Sequence, residues 1–308
     1  MRMPHNEALC AAYPPGSNQN GDSHWPLLRI LVAHDLYTGL AMRAQWGAMN
    51  GKDAVSEQGL LEQAIDRLPS DAVVVGDANF GVFSVAYAAT QREHPVVLRM
   101  TMARARSLTK GELQDGMDLP IQWKPTRDDR RTHPELPADA SVSGRLIVRR
   151  VQPSDGKQPF LLALFTTLKD EADQIIELYG HRWKIETDLN CLKSTLRLDQ
   201  LTCITPEMVA KEINVAMLAY NLVRAIMWLA AQKAGLTPRQ FSFTRVRNVI
   251  QTFAPLIAAA ADEREAQRLF DKMMYYVGQA KLPRRNRKRS SYPRAVWPKP
   301  HKYPKRKE

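Results

Sequence analysis

The sequence predicts an α/β fold, in which a mixed β-sheet is flanked by helices and followed by a helical C-terminal part. In the first 165 residues, short apolar runs bounded by turn residues, such as DAVVVGD, alternate with helix-like segments. Beyond them, hydrophobic residues recur at helical spacing, and the Thr-Pro pairs at 205–206 and 237–238 open new helices.

The first part of the chain is expected to hold a hairpin, a helix and a buried strand. Residues 1–26 are rich in turn formers and are expected to be loop. A β-hairpin follows at 27–46, turning at Tyr37-Thr38-Gly39, and Ser56 caps a helix that continues to Leu68. The wholly apolar Val73–Val75 is expected to lie at the centre of a covered sheet.

The rest of the chain is expected to continue with strands and then helices. Strands are predicted at PVVLRM, GRLIVRRV and PFLLALFTTL, and the polar stretch 101–144 is expected to be irregular. Asp170 is predicted to N-cap a helical segment reaching about Leu196, which Gly180 can divide in two. Pro255 is expected to interrupt the helix after Thr237-Pro238, and Glu263–Gln279 forms the last helix.

These elements suggest a domain plan with five parts. A core domain would be built from 1–94 and 166–235, separated by a β-rich insertion at 95–165. Helices would follow at 236–282, and 283–308 would be a disordered basic tail, because it holds eleven Lys or Arg, one acid and five prolines.

The charge of the chain points to a polyanionic partner. Its net charge is +12 and its pI is about 9.7, and the tail supplies most of the excess. Nucleic acid is the leading candidate, in particular double-stranded DNA. A membrane is not expected, since the longest apolar stretch is interrupted by Asn221 and Arg224. Three cysteines without paired spacing indicate a reducing cytoplasm and no zinc site or disulfide framework.

One helical stretch, LYGHRWKIETDLNCLKSTL, collects polar residues on one face. Tyr179, Arg182, Glu186 and Lys193 stand at offsets of three, seven and fourteen residues, which places them within a wedge of roughly 60°. An adjacent stripe is apolar and is expected to pack into a core; it consists of Leu178, Ile185, Leu189, Leu192 and Leu196. The alternative is a solvated helix on which Arg182–Glu186 and Lys184–Asp188 are ordinary ion pairs.

A second candidate group is Asp77, which comes directly after the predicted strand Val73–Val75. The carboxyl end of a central strand is where α/β folds place their chemistry. The alternative is that Asp77 only caps the helix that follows it.

The spacing Tyr-x2-Arg-x3-Glu-x6-Lys resembles the signature of insertion-sequence transposases of the IS-four type, which belong to the DDE class. The preceding FTTLKDEADQIIELYGHRW is similar to the same family, and Asn79-Phe80-Gly81 after Asp77 resembles the context of its second catalytic Asp. The resemblance implies a ribonuclease H-like fold and a homodimer that acts on double-stranded DNA, both transposon ends and target. No small-molecule substrate is implied.

The resemblance also assigns roles to residues. Asp77 and Glu186 would be catalytic and would be ligands of Mg²⁺ in a two-metal site that cleaves and joins phosphodiester bonds. Tyr179, Arg182 and Lys193 would hold DNA phosphates, a task that suits these side chains. The protein would work in the bacterial cytoplasm, associated with the nucleoid.

The first Asp of the DDE set has no clear counterpart. The family carries it in an Asp-Gly-Ser/Thr stretch ahead of the hairpin, and no such stretch occurs here. Asp22 lies in a turn context, and Asp35 belongs to the hairpin turn. We therefore expect a reading frame that begins late, without the first Asp or an end-recognition domain, and a chain that is inactive. The alternatives are an active transposase whose first Asp is supplied by another residue, a DNA-binding remnant of a transposase, and a basic structural or partner-binding protein with an accidental match.

Overall fold

The computed structural model describes residues 1–18, 21–152 and 158–282, which form nine strands and ten α-helices. The strands are β1 Pro15–Asn18, β2 Gly21–Pro26, β3 Leu28–Leu31, β4 Gln45–Ala48, β5 Val74–Gly76, β6 Val96–Arg99, β7 Asp118–Trp123, β8 Val142–Val151 and β9 Phe160–Thr166. The helices are α1 Glu7–Ala12, α2 Glu57–Ile65, α3 Phe83–Thr90, α4 Met102–Thr109, α5 Arg127–Thr132, α6 Ala172–Gly180, α7 Lys184–Asn190, α8 Pro206–Ala234, α9 Phe243–Ala258 and α10 Glu263–Gln279.

The centre of the fold is a five-stranded mixed sheet in the order β5-β6-β9-β8-β7. Strands β5 and β6 are parallel, and the other neighbours are antiparallel. Alternate residues of β6 point to opposite faces: Val96 and Leu98 pack with α2, α3 and α4, whereas Val97 packs with α6. The mixed sheet with flanking helices confirms the predicted fold class. The stretch 95–165 shares this one sheet with β5.

Strand β5 does not lie where the sequence predicted. It pairs only with β6, so it is an edge strand of the five-stranded sheet and not its centre. Both of its faces are nevertheless covered, since Val74 and Val75 pack into the hydrophobic clusters on opposite sides of the sheet. A wholly apolar run indicates that both faces of a strand are covered, but it does not indicate which of the strand's edges are paired.

The predicted hairpin at 27–46 is confirmed, with shorter strands than expected. Strands β3 and β4 pair with each other in a separate two-stranded sheet. Between them, the Asp35 carboxylate accepts hydrogen bonds from the backbone N–H and the hydroxyl of Thr38, both at 2.5 Å. Gly39 completes the turn with a φ of +77°, a value that favours glycine.

Two stretches that were expected to be irregular contain regular structure. In 1–26, the Asn6 side chain caps α1 by accepting a hydrogen bond from the Leu9 N–H at 2.8 Å, and Leu9 is fully buried. In 101–144, the structure places α4, β7 and α5. Both expectations were wrong. Capping side chains and cross-strand partners stabilise regular structure here, although the composition is polar and contains proline.

The C-terminal part is helical, as predicted. Helix α8 begins after Thr205, whose hydroxyl accepts from the Met208 N–H at 3.3 Å, and it ends at Gly235 with a φ of +61°. Thr237-Pro238 opens only a short 3-10 turn, and Pro255 lies inside α9 without ending it. The tail 283–308 lies outside the described residues.

Helix α8 is long and apolar enough to cross a membrane by length and composition alone. However, 44% of its most apolar window is buried inside the protein, as in the core helix of a soluble domain. Its inner face packs against α9, α10 and the hairpin in the largest hydrophobic cluster of the described residues. The helix therefore gives no reason to place the protein in a membrane.

Candidate functional site

Asp77 directly follows β5 and begins a tight turn. Its carboxylate accepts a hydrogen bond from the Asn79 N–H at 2.9 Å, and its backbone carbonyl accepts from Phe80 and Gly81. The next helix, α3, has Val82 at its N-cap and no side-chain cap. Asp77 therefore shapes its own turn and does not cap α3, so the capping alternative is wrong.

The turn after Asp77 is held against the end of β6. A Cβ at Gly81 would clash with the backbone carbonyl of Arg99, so only glycine allows this approach. The Arg104 guanidinium donates to the carbonyl oxygens of Ala78 at 2.9 Å and Gly81 at 3.2 Å. Asp77 is thus fixed beside the last residue of the neighbouring parallel strand.

The segment with the four-residue signature is helical throughout but changes its pitch. Helix α6 ends at Gly180, a 3-10 turn follows at His181–Trp183, and α7 leads into a π-helical turn at Cys191–Thr195. The predicted division at Gly180 is present as this change of pitch. The predicted cap is wrong: Glu171, and not Asp170, precedes α6, and it makes no side-chain capping bond.

Tyr179 is the most buried of the four signature residues, with 4% of its surface exposed. It packs into the cluster between α6 and the sheet, and its hydroxyl has no hydrogen-bond partner among the described residues. Burial raises the pKa of Tyr179, the charges of Arg182 and Arg99 oppose that rise, and the charge of Asp77 adds to it. The Tyr179 hydroxyl therefore lies in the field of two cations and one carboxylate.

Arg182 is held by aromatic rings and not by an acid. Its guanidinium carbon lies 5.7 Å from the ring centre of Tyr179 and 4.9 Å from that of Trp183. Its Nε is buried and has no hydrogen-bond partner in the part of the chain that the structure describes. A buried guanidinium nitrogen without an acceptor is costly, so this geometry favours an anionic ligand.

Glu186 and Lys193 are both exposed, one on α7 and the other in the π-helical turn. Within the described ranges, Glu186 makes no ion pair or hydrogen bond, so the predicted Arg182–Glu186 pair does not form. The charge of Lys193 acts on the Met1 amino group, whose pKa is lowered mainly by burial. The structure thus places Asp77 near enough to Tyr179 for its charge to act on the phenol, and it leaves Glu186 and Lys193 exposed, without a hydrogen bond or ion pair among the described residues.

The neighbour of Glu186 on α7, Asp188, is fully buried and forms the centre of a polar network. Its carboxylate pairs with Arg224 of α8 and with Arg239, whose Nη2 lies 2.8 Å from Oδ2. Arg239 also donates to the carbonyl of Leu36 at 2.8 Å, which ties the hairpin turn to α7. The alternative pair Lys184–Asp188 does not form among these residues, because both carboxylate oxygens are already engaged.

The carboxylates at the site fit a metal only in part. Asp77 and Glu186 offer the hard oxygen ligands that Mg²⁺ prefers. Within the described residues, no group of three or more His, Cys, Asp or Glu is placed to hold a metal ion. The Asp35 carboxylate is occupied by Thr38, and the side chain of Asp22 lies outside the described part of the chain. The donor set of the described residues therefore does not fit a two-metal site.

Sequence reasoning missed Arg99 and the partners of Asp188. Arg99 ends a predicted strand, and only the pairing of β5 with β6 shows that it lies beside Asp77. Its position at the carboxyl end of a parallel strand was the available signal. Asp188 pairs with residues 36 and 51 positions further along the chain, a contact that no local pattern reveals.

Comparison with known proteins identifies the family of the chain. The family model described as the transposase DDE domain matches residues 2–222. The transposase InsG for insertion sequence element IS4 from Escherichia coli (strain K12) is 26% identical over 314 aligned positions, which cover 98% of this chain and 67% of that protein. The matched range holds all four signature residues and Asp77. This chain belongs to the DDE transposase family and is of the IS4 type.

Proposed function

We propose that this chain grips duplex DNA with a phosphate-contacting face made of Tyr179, Arg182 and Lys193, to which the structure adds Arg99. The observation that carries the proposal is Arg182, whose guanidinium lies near the rings of Tyr179 and Trp183 and whose buried Nε has no acceptor among the described residues. A DNA phosphate would supply that acceptor and would be held by charge-assisted hydrogen bonds.

The reaction class of the family is DNA transposition by phosphodiester cleavage and strand transfer, and we expect this chain to be inactive in it. Family membership implies DNA as partner and a divalent metal as cofactor. In this proposal Asp77 and Glu186 stand at the positions of the family's catalytic carboxylates and Mg²⁺ ligands, and the DNA partners are transposon ends and target DNA in the cytoplasm. When bound, the metal would supply Lewis-acid stabilisation of the charge that develops on phosphate oxygens.

What the residues themselves do can be derived from their positions. The Asn79 N–H holds one Asp77 oxygen and orients the other, and Arg104 keeps the turn in place. A phosphodiester would lie near the Tyr179 hydroxyl, on which the positive charges of Arg182 and Arg99 and the negative charge of Asp77 all act. Asp77 and Glu186 alone do not make up the ligand set of a two-metal site.

A second candidate function is a DNA-binding transposase relative that does not cleave. The observation that favours it is the missing third carboxylate among the described residues. Such a protein would keep the phosphate-contacting face and occupy DNA without cutting it. The two functions share DNA binding and differ in cleavage.

The binding proposal is tested by measuring affinity for a mixed-sequence duplex over a range of salt concentrations. Arg182→Gln should weaken binding by about 10-fold or more, because a charge-assisted phosphate contact contributes roughly 1.5–3 kcal/mol. The substitution should also reduce, by about one, the steepness with which the logarithm of the affinity falls with the logarithm of the salt concentration. Arg131→Gln is the matched control, since Arg131 is exposed on α5 and pairs only with Asp128 in the structure described here. An equal loss of affinity in both variants would show that DNA binds to another surface.

A further inference from the structure

Four cations from three parts of the chain lie around the end of the segment with the four-residue signature. Arg247 of α9 reaches this end, where its guanidinium donates to the Thr195 carbonyl at 2.6 Å. The backbone of Arg2 runs beside residues 199–201 through hydrogen bonds of 3.3 Å and 3.0 Å. Lys193 lies in the π-helical turn, and Arg197 follows that turn. We call these four side chains the cationic cluster: Arg2, Lys193, Arg197 and Arg247.

The charges of the cationic cluster are not neutralised within the part of the chain that the structure describes. None of its four members makes an ion pair there, and the exposed side chain of Asp199 pairs with none of them. The pKa of the buried Met1 amino group is lowered by its burial and then by the charges of Lys193 and Arg2. Positive charges placed together in this way attract an external anion.

Arg197 holds a backbone conformation that glycine adopts more readily. Its φ is +57°, and it directly follows Leu196, the C-cap of the π-helical turn. Glycine is preferred after a helix end because a side chain is strained in the left-handed region; Gly235 has this role at the end of α8. The arginine at 197 therefore costs stability relative to glycine, while its exposed guanidinium makes no hydrogen bond or ion pair among the described residues.

The cationic cluster and Arg182 are placed to contact different phosphates. Residues 182 and 197 are separated by a continuous helical segment, which makes their backbones roughly 20 Å apart at about 1.5 Å per residue. The Arg182 guanidinium also lies near the ring of Tyr179, one turn towards the start of the segment and away from Arg197. Duplex DNA carries one negative charge per about 1.7 Å of its axis, so this separation spans several phosphates.

We propose that the cationic cluster is a second phosphate-binding site for duplex DNA, separate from the contact made by Arg182. This inference rests on the proposed function, because it takes DNA as the partner, and it adds Arg2, Arg197 and Arg247, which the signature does not include. A line of phosphates fits the cluster because several spread cations can contact it at once. A single small anion fits less well, since three of the four side chains are exposed at the surface.

Arg197→Gly tests the proposal, because it should change stability and DNA binding in opposite directions. The Tm should stay equal or rise, since glycine removes the backbone strain. The affinity for a mixed-sequence duplex should fall about 10-fold, because a charge-assisted phosphate contact is lost. The steepness with which the logarithm of the affinity falls with the logarithm of the salt concentration should decrease by about one. Arg197→Lys keeps the charge and should retain most of the affinity.

Lys110→Gly is the matched control for charge and for backbone strain. Lys110 is exposed at the C-cap of α4 with a φ of +55°, and its side chain has no hydrogen bond or ion pair among the described residues. This variant loses the same charge and relieves the same strain, but it should bind the duplex like the wild type. Arg2→Gln should weaken binding as Arg197→Gly does, since Arg2 reaches the cluster from another part of the chain.

A double variant separates this inference from the proposed function. The losses of affinity in Arg182→Gln and Arg197→Gly should multiply when the two are combined, because distant contacts act independently. Unchanged affinity in Arg197→Gly or Arg2→Gln, or a loss that Lys110→Gly shares, would overturn the second site while a loss in Arg182→Gln keeps the proposed function. A loss in Arg197→Gly without one in Arg182→Gln would overturn the proposed face alone. A wild type that does not bind the duplex would overturn both.

Discussion

Asp188 and Arg224 form an ion pair in which both side chains are shielded from solvent, with 0% and 3% of their surfaces exposed. The pair joins α7, which carries Glu186, to α8. Arg239 binds the same carboxylate, and Tyr220 accepts from the Arg224 Nε at 2.9 Å while donating to the Gly39 carbonyl at 2.8 Å. The network therefore fixes the signature helix against the hairpin and the C-terminal helices.

Asp188→Ala should destabilise the protein strongly. The substitution leaves the buried Arg224 and the partly buried Arg239 without their counter-ion, and breaking a buried pair in this way costs about 3–5 kcal/mol. The measurement is the free energy of unfolding from urea denaturation. Asp173→Ala is the control, since Asp173 is 93% exposed and pairs with Arg149 at 3.5 Å; it should change stability by less than about 1 kcal/mol. Similar losses in the two variants would contradict the structural role of the network.

Gly81→Ala should also destabilise the protein, for a steric reason. The new Cβ would meet the backbone carbonyl of Arg99, and relieving such overpacking costs about 1–3 kcal/mol. Gly278→Ala is a matched control, because a Cβ there meets nothing within 4 Å and alanine favours the α10 helix. Thermal denaturation should show a lower Tm for the first variant and an equal or higher Tm for the second. A tolerated Gly81→Ala would show that the turn after Asp77 can move away from β6.

Because of His34, the free energy of unfolding should fall as the pH drops below about 6.5, the ordinary pKa of histidine. Burial lowers the pKa of His34 in the folded state, and Arg224 and Arg239 lower it further, although Asp188 opposes them. Just below this pH, His34 binds a proton in the unfolded chain but stays neutral in the folded chain. The stability contributed by neutral His34 is therefore complete above this pH and is lost below it. Urea denaturation at pH 7.5 and pH 5.5 measures the effect.

The controls for the pH prediction are two histidine substitutions. His34→Gln should reduce the difference in unfolding free energy between the two pH values, because the titrating ring is gone. His181→Gln, at an exposed position in the 3-10 turn, should leave that difference in place. An undiminished difference in His34→Gln would assign the pH dependence to other groups.

Local signals in the sequence located most elements, because caps and turns are formed by neighbouring residues. Ser56 caps α2 and Thr205 caps α8 as predicted, and Gly235 ends α8 in the left-handed conformation. The edge position of β5 and the role of Arg99 could not be predicted, since both depend on strand pairing across distant parts of the chain. The Asp188 network could not be predicted for the same reason. Helical spacing suggested a local partner, Lys184, but two arginines that are distant in the sequence bind the carboxylate instead.

The last prediction is that this chain does not cleave DNA. Asp77 and Glu186 are the only carboxylates that the family signature assigns, and the described residues contain no third acid placed with them to hold a metal ion. A shared two-metal site needs that ligand, and losing it removes charge stabilisation worth several kcal/mol, with each 1.4 kcal/mol costing about tenfold in rate. DNA binding should persist, because it depends on Arg182, Lys193 and the basic C-terminal residues.

The assay is strand cleavage of a duplex carrying the end of its own element, with Mg²⁺ or Mn²⁺, for the wild type and Glu186→Gln. Neither protein should cut, and both should retard the duplex equally, because Glu186 is exposed and unpaired among the described residues. Metal-dependent cleavage that disappears in Glu186→Gln would show that the site is complete. In that case Asp22 becomes the candidate for the third ligand, since the Asp35 carboxylate is committed to Thr38 in the hairpin turn.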